Sequence, residues 1–246
     1  MSTLHSATYI MNSSAPITAA PFSVGMWVMA GATGATRTFW FLGSSAAATN
    51  RDCFLLRQNS TNVWHISVAD SGAQTSAAAG TVTASQWFYV VGRFISATNY
   101  RIAVLQPDGS TAHAQGTISR TPASVDRSAV GIQAVATPTQ GFTGQVAEYW
   151  LASGDIQADG AQLQDNVLRQ LAYGGPFSVP HIVKDIIEYR SFRTYPSSEG
   201  DNLNEVFHGA AGRQTWANIN GVTIGHHPPL PYWYEKPGQR RTTLTV

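Results

Sequence analysis

Residues 144–156 read GQVAEYWLASGDI, and a stretch with helical spacing, DGAQLQDNVLRQLAYG at 159–174, follows almost at once. Glu148 stands alone among Val146, Tyr149, Trp150 and Leu151. A carboxylate buried in such company is costly unless it is hydrogen-bonded, so the strand that carries it must be built to hold it. Upstream, residues 21–156 consist of short apolar runs of period two, separated by glycine and small polar residues. That is the pattern of β-strands half-buried in a sheet. FSVGMWVMAG sets Phe22, Val24, Met26 and Val28 on one side, and TRTFWFLGS, DCFLLRQ, VWHISVAD and QWFYVVGRFI continue in the same style.

YRIAVLQPDGSTAHAQG predicts a hairpin, with Pro107, Asp108 and Gly109 supplying the turn. Together with AVGIQAVAT and GFTGQVAEYWLA, these runs predict roughly nine or ten strands before any helix. The helix is expected over 159–173, capped by Asp159, with Leu163, Val167, Leu168 and Leu171 on one face and Gly174-Gly175 as its stop. After it, PHIVKDIIEYRSFRTY is expected to turn from helix to strand, and QTWANINGVTI to form a hairpin-like pair. The segment 225–246 holds prolines at 228, 229, 231 and 237. Proline cannot donate to a ladder, so an extended arm is expected there. The division expected is a domain at 1–228 and an arm at 229–246.

Composition narrows the partners. Only 12% of the 246 residues are charged, so the surface must be largely Ser, Thr, Gln, Asn, Gly and Ala. Such a surface repels neighbours weakly and suits a protein packed against others, although an ordinary low-charge β domain would look the same. Fifteen basic and fourteen acidic residues balance, which argues against nucleic acid and acidic membranes as partners. Cys53 is the single cysteine, so no internal disulfide forms, and no His/Cys cluster accompanies it. No basic-then-apolar leader opens the chain and no run of 18 apolar residues occurs, so neither a signal peptide nor a membrane span is expected.

No catalytic motif stands out. Glu199, Asp201 and Glu205 in SSEGDNLNE approach the spacing of paired glycosidase carboxylates, but they lie in a Pro/Ser/Gly loop without the alternation that would set them on one face. They read as solvated loop acids. Asp52, Asp70, Asp108, Asp126 and Glu148 are scattered singly, whereas calcium needs several converging oxygens, so no metal or other cofactor is favoured. His226 and His227 are adjacent and would point to opposite sides of an extended chain. Tyr232, Trp233 and Tyr234 sit outside any core of their own and read as anchors of a docking arm, with Arg240 and Arg241 at its rim and TTLTV as a strand able to join a partner's sheet. The alternative is that the arm folds back on its own sandwich.

PFSVGMWVMA at 21–30, QWFYVVGRF at 86–94, RIAVLQPDG at 101–109 and GFTGQVAEYWLASGDI at 141–156 resemble, in that order, the laminin-G-like, concanavalin A-like jelly roll. The likeness covers residues 21–175. It implies an all-β sandwich of two antiparallel sheets with one short helix, and it casts Glu148 as the recurring acid of the closing strand, beside an irregularity in the pleat. A second resemblance lies in DIIEYRSF at 185–192 and WANINGVTIGHHPPLPYW at 216–233, which look like the end of short laminin-G-like proteins encoded by tailed bacteriophages and prophages. It implies that residues 181–228 return to the sandwich. It also implies a non-enzymatic virion structural protein, a capsid decoration or surface component assembled in the host cytoplasm, whose partners are virion subunits or copies of itself. A carbohydrate-binding or adhesin module is the alternative from the same fold, and a glycoside hydrolase a third.

Overall fold

The computed structural model describes residues 9–71, 73–157, 160–190, 202–204, 207–208, 215–219, 223–225 and 243–245. With strands numbered in chain order, the first sheet runs β13 (Asn202–Asn204), β15 (Thr215–Ile219), β1 (Tyr9–Asn12), β10 (Arg127–Val130), β3 (Arg37–Gly43), β4 (Cys53–Gln58), β5 (Val63–Ala69), β6 (Gln74–Thr81). The second runs β14 (Phe207–His208), β12 (Ile186–Arg190), β11 (Gly144–Ser153), β2 (Phe22–Ala30), β7 (Trp87–Ser96), β8 (Asn99–Leu105), β9 (Thr111–Gly116). β17 (Thr243–Thr245) joins it through β11 and carries β16 (Thr223–Gly225) on its other side. Neighbouring strands pair antiparallel throughout, and the whole is an all-β jelly-roll sandwich.

The period-two pattern decides what fills the space between the sheets. Phe22, Val24, Met26 and Val28 of β2 face inward, as their alternation requires, against Trp40, Phe54, Leu56 and Trp64 of the first sheet. Phe22 stacks on Phe94 with centroids 4.7 Å apart and meets Phe54 edge-on at 5.0 Å, both favourable aromatic geometries. The aromatics of the strand runs are thus spent on the core.

The opposite face of β2 carries Trp27, which belongs to a second apolar layer with Tyr89, Trp150, Leu168, Leu171 and Val179 beneath a single helix, α1 (Asp165–Ile182). The helix differs from the sequence expectation: it begins later, spans 18 residues, and passes through Gly174-Gly175 instead of stopping there. Each helical glycine costs about 1 kcal/mol relative to alanine, less than is gained by burying the face that continues to Val179. Pro176 has no amide to donate to the carbonyl four residues earlier, that of Ala172. Trp27 Nε1 donates to that same oxygen at 3.0 Å, so the sheet supplies the bond that proline removes.

Two further expectations change. β15 and β16 do not form a hairpin with each other: β15 pairs with β1 and β13 in the first sheet, while β16 pairs with β17 in the second. The terminal TTLTV strand was expected to suit a partner's sheet edge, but Thr243–Thr245 pair with Gln145 and Val146 of their own chain. β11 offers that edge because β12 covers it only from Tyr149 onward. Among the described residues eleven strands precede the helix, and the hairpin at 99–116 is β8 and β9 as read.

Close packing at one glycine provides a test. A Cβ on Gly25 would lie 2.5 Å from Trp150 Cε2 and Cζ2, because the indole lies flat over that backbone. Gly25→Ala should therefore cost about 1–3 kcal/mol, the range for overpacking a well-filled core. The urea midpoint measures it; an unchanged midpoint would mean that Trp150 moves aside freely.

Candidate functional site

Glu148 is 1% exposed, and its backbone lies in the left-handed region at φ 50°. It marks a β-bulge: Ala147 pairs with Trp27 and Trp150 with Gly25, so Glu148 and Tyr149 together oppose one residue, Met26. Across β12 the hydroxyl of Tyr189 donates to Glu148 Oε2, and reciprocally Tyr149 donates to Glu188 Oε2 at 3.1 Å. Two buried carboxylates are thus each met by a tyrosine of the opposite strand. The expectation for Glu148, a shielded and hydrogen-bonded acid beside an irregularity of the pleat, is what the structure has. Its role is architectural, since Glu148 and Glu188 are closed off by packing.

The outer face of the first sheet is different. Cys53 and Leu55 pack with Phe41, Ala129, Ile132 and Val135, covered in part by the 131–142 loop. Alternation along β4 places Arg57 on that same face, and the register brings His65 opposite Arg57, and Ser67 opposite Leu55. Arg57 Nη1 donates to Asn50 Oδ1 at 3.3 Å, Gln140 Nε2 donates to the same oxygen at 3.2 Å, and Thr38 Oγ1 donates to Gln140 Oε1 at 3.3 Å. With its amide turned as its neighbours require, the Gln74 oxygen accepts from Arg57 Nη2 at 2.6 Å and from Ser67 Oγ at 3.2 Å.

Among the described residues Arg57 forms no ion pair, and its Nε and both ring nitrogens of His65 are shielded from solvent without a hydrogen bond. Burial lowers the Arg57 pKa from its ordinary value, and burial followed by the Arg57 charge lowers that of His65. The cluster is a cation held by neutral amides and hydroxyls. A surface of this kind hydrogen-bonds oxygen-rich ligands; the named residues include no carboxylate or activated nucleophile.

Of the residues singled out in the sequence, Glu148, Cys53 and the acids Asp52, Asp70, Asp108 and Asp126 lie in the described structure, and these acids do not gather with one another as a metal site. Tyr232, Trp233, Tyr234, Arg240 and Arg241 lie outside the described residues, as do Glu199, Asp201, Glu205, His226 and His227. The Arg57 cluster was not singled out, yet a signal for it exists. In DCFLLRQ and VWHISVAD the inward residues are Phe54, Leu56, Trp64 and Ile66, which leaves Arg57, His65 and Ser67 together on the other side. Among the described residues no three His, Cys, Asp or Glu side chains gather as a metal site, and no helix is long and apolar enough to cross a membrane.

No family description matches the chain, and no characterised protein matches it in sequence. Solved structures match its fold. A heptameric SAP-like pentraxin from Limulus polyphemus aligns with a TM-score of 0.51 and 12% identity, over 72% of this chain and 81% of the pentraxin. The enzymatically active domain of bacteriophage CBA120 tailspike protein 2 aligns with a TM-score of 0.51 and 10% identity, over 74% of this chain and 28% of the tailspike. At such identities the likeness is one of fold, and it places the chain among jelly-roll sandwiches.

Three outcomes follow from the geometry. Tyr189→Phe removes a donor from a buried carboxylate and should destabilise by about 1–3 kcal/mol in urea unfolding; no change would mean that Glu148 is held by its other contacts. Burial pushes the Cys53 thiol up to about 12, so it should resist a thiol reagent at pH 8 in the native protein and react on unfolding. His65 has a folded pKa below its unfolded value near 6.5, so below that pH the unfolded chain binds the proton more readily. Its contribution is present above pH 6.5 and is lost as pH falls; His65→Gln should flatten the stability loss between pH 7 and 5.

Proposed function

We propose that this chain is a non-enzymatic structural protein of a tailed-phage particle, a surface or capsid-decoration component whose body is the sandwich. The observation that carries this reading is the return of the chain after α1. β12, β14 and β16 belong to the second sheet while β13 and β15 join the first, a return of 181–228 to the sandwich of the kind that the resemblance of 185–233 to phage-encoded laminin-G-like proteins implies. The low charge of the chain supports it, because neutral polar surfaces pack side by side without repulsion. In this reading Tyr232, Trp233 and Tyr234 anchor the protein to neighbouring subunits, with Arg240 and Arg241 at the rim. Replacing the three aromatics together by alanine should leave a folded protein that no longer copurifies with particles. Incorporation at the wild-type level would refute the anchoring, and absence of the wild-type protein from purified particles would refute the virion assignment itself.

A second reading, a carbohydrate-binding module, is favoured by the Arg57 cluster. Its amides, gathered round a guanidinium that has no counter-ion among the described residues, are groups of the kind that hydrogen-bond sugar hydroxyls. A glycan array probed with the isolated protein tests it: binding should appear and be reduced at least roughly tenfold by Arg57→Gln, the loss expected when one charge-assisted hydrogen bond goes.

A further inference from the structure

A separate cavity lies on the outer face of the second sheet, away from the Arg57 cluster. Register builds it as a grid: Arg93, Arg101 and Gln115 stand in one rung across β7, β8 and β9, and Val91, Ala103 and His113 in the next rung on the same face. The segment leading into α1 closes it with Gln162 and Leu163, leaving a volume of about 230 Å³. That is below the roughly 300–1,000 Å³ of pockets for drug-sized ligands, so it suits something smaller.

The polar groups in it are not equivalent. Arg93 is 1% exposed and fully committed: Nε and Nη2 grip Asp155 at 2.6 Å each, and Nη1 donates to the carbonyl of Ala161 at 2.6 Å. It pins the pre-helix segment to the sheet. Arg101, its partner in the rung, has no such commitment. Its Nε donates to Asn99 Oδ1 at 3.3 Å, and its two terminal nitrogens make no hydrogen bond or ion pair among the described residues. Like charges directly opposite on a sheet are unfavourable, and among the described residues Arg93 has a neutralising carboxylate and Arg101 has none. His113 lies diagonally across from Arg101, within side-chain reach, with its Nε2 on Asp165 Oδ1 at 2.8 Å. Asp165, the carboxylate on this side, is taken up by His113 and by Thr111. Arg169 adds a further positive charge beside Asp165. Among the described residues, Arg93 and Arg169 thus stand beside Asp155 and Asp165, while the donors left open in the cavity are the Arg101 fork and the Gln162 amide; the Gln115 amide gives one bond to Asn99 Oδ1 at 3.3 Å and keeps its second N–H.

The geometry points to this cavity as a binding site for the oxyanion of a small ligand, a carboxylate or a phosphate, gripped by the terminal nitrogens of Arg101 with Gln115 and Gln162 on its polar remainder. A guanidinium presents two parallel donors that match either group, and the hydrogen bonds are charge-assisted. Ala103 and Leu163 supply an apolar wall for the carbon skeleton. The ligand would provide for Arg101 the counter-charge that Asp155 provides for Arg93.

The test is a titration of the full chain, labelled with nitrogen-15, at low salt with three probes built on one sugar ring: glucuronate, glucose 6-phosphate and glucose. At least one charged sugar should shift the backbone amides of Arg101, His113 and Gln115, while glucose leaves them in place. Response to glucuronate alone identifies the carboxylate, to glucose 6-phosphate alone the phosphate, and to both a general oxyanion site. Arg101→Gln should weaken binding at least roughly tenfold. Gln162→Trp, on an exposed position at the mouth, should block the cavity without touching the sheet, and decides the matter if the arginine variant does not fold. No shift at these amides with either charged sugar, equal shifts with glucose, or undiminished binding by a folded Arg101→Gln or Gln162→Trp protein would overturn the proposal.

Discussion

The bulge at Glu148 and Tyr149 is the constraint on which the rest of the sandwich depends. Side chains alternate along a strand, so one extra residue reverses every face assignment beyond it. Before the bulge Val146 points into the inter-sheet core and Ala147 out towards α1; after it Tyr149 and Leu151 point in, while Trp150 and Ala152 point out. If the strand alternated regularly through Glu148 without a bulge, Trp150 would be driven into a core already filled by the Phe22 and Trp40 cluster, and Tyr149 and Leu151 would face the helix. The left-handed backbone at Glu148 is uncommon for a residue with a side chain, and such a conformation persists where surroundings over-determine it. Those surroundings are the reciprocal tyrosine–glutamate contacts across β12, which fix the register of β11 from one side while Trp150 over Gly25 fixes it from the other.

From β11 the consequence passes to the helix and the cavity. Trp150 Nε1 donates to the hydroxyl of Tyr89 at 2.7 Å, and Tyr89 meets Trp27 edge-on at 5.4 Å. Trp27 in turn holds Ala172, the carbonyl left open by Pro176. One chain of contacts therefore runs from the bulge to the middle of α1, and Arg93 ties down the segment just before it. The oxyanion cavity lies where sheet, helix start and pinned segment meet, so its shape is inherited from packing set at β11.

How much of this could be read from the sequence follows from the range of each interaction. The strands of 22–153 and the β8–β9 hairpin were legible because alternation and turn chemistry are local. Glu148 was legible because a lone acid in an apolar run demands a partner. The end of α1 was misread because Gly174-Gly175 is a local stop signal, whereas the burial of Val179 and the indole on Ala172 are contacts made at long range. The same reason separated β15 from β16: Asn220-Gly221 favours a tight turn locally, but β1 and β17 compete for the flanking strands. Arg57 and Arg101 were invisible as sites because each becomes distinctive only beside its neighbours in the register.

The two sheets treat their outer faces differently, and the difference bears on what each can bind. The second sheet is roofed by α1 over Trp27, Trp150 and Leu171, and polar groups gather at the margin where the helix begins, in a recessed, half-open cavity. The first sheet is roofed only in part, by Ile132, Ala134 and Val135 over Phe41, Leu55 and Cys53. Beyond that cover, β6 presents the exposed Ser76 and Ala78, with Arg57 and His65 half-buried at their border. A recessed site favours a small charged group that pairs with its arginine, whereas an open polar sheet face favours an extended ligand held by many weak hydrogen bonds. Two such different surfaces on opposite sides of one sandwich can be occupied at once, so the body of the protein has room for recognition on both sides.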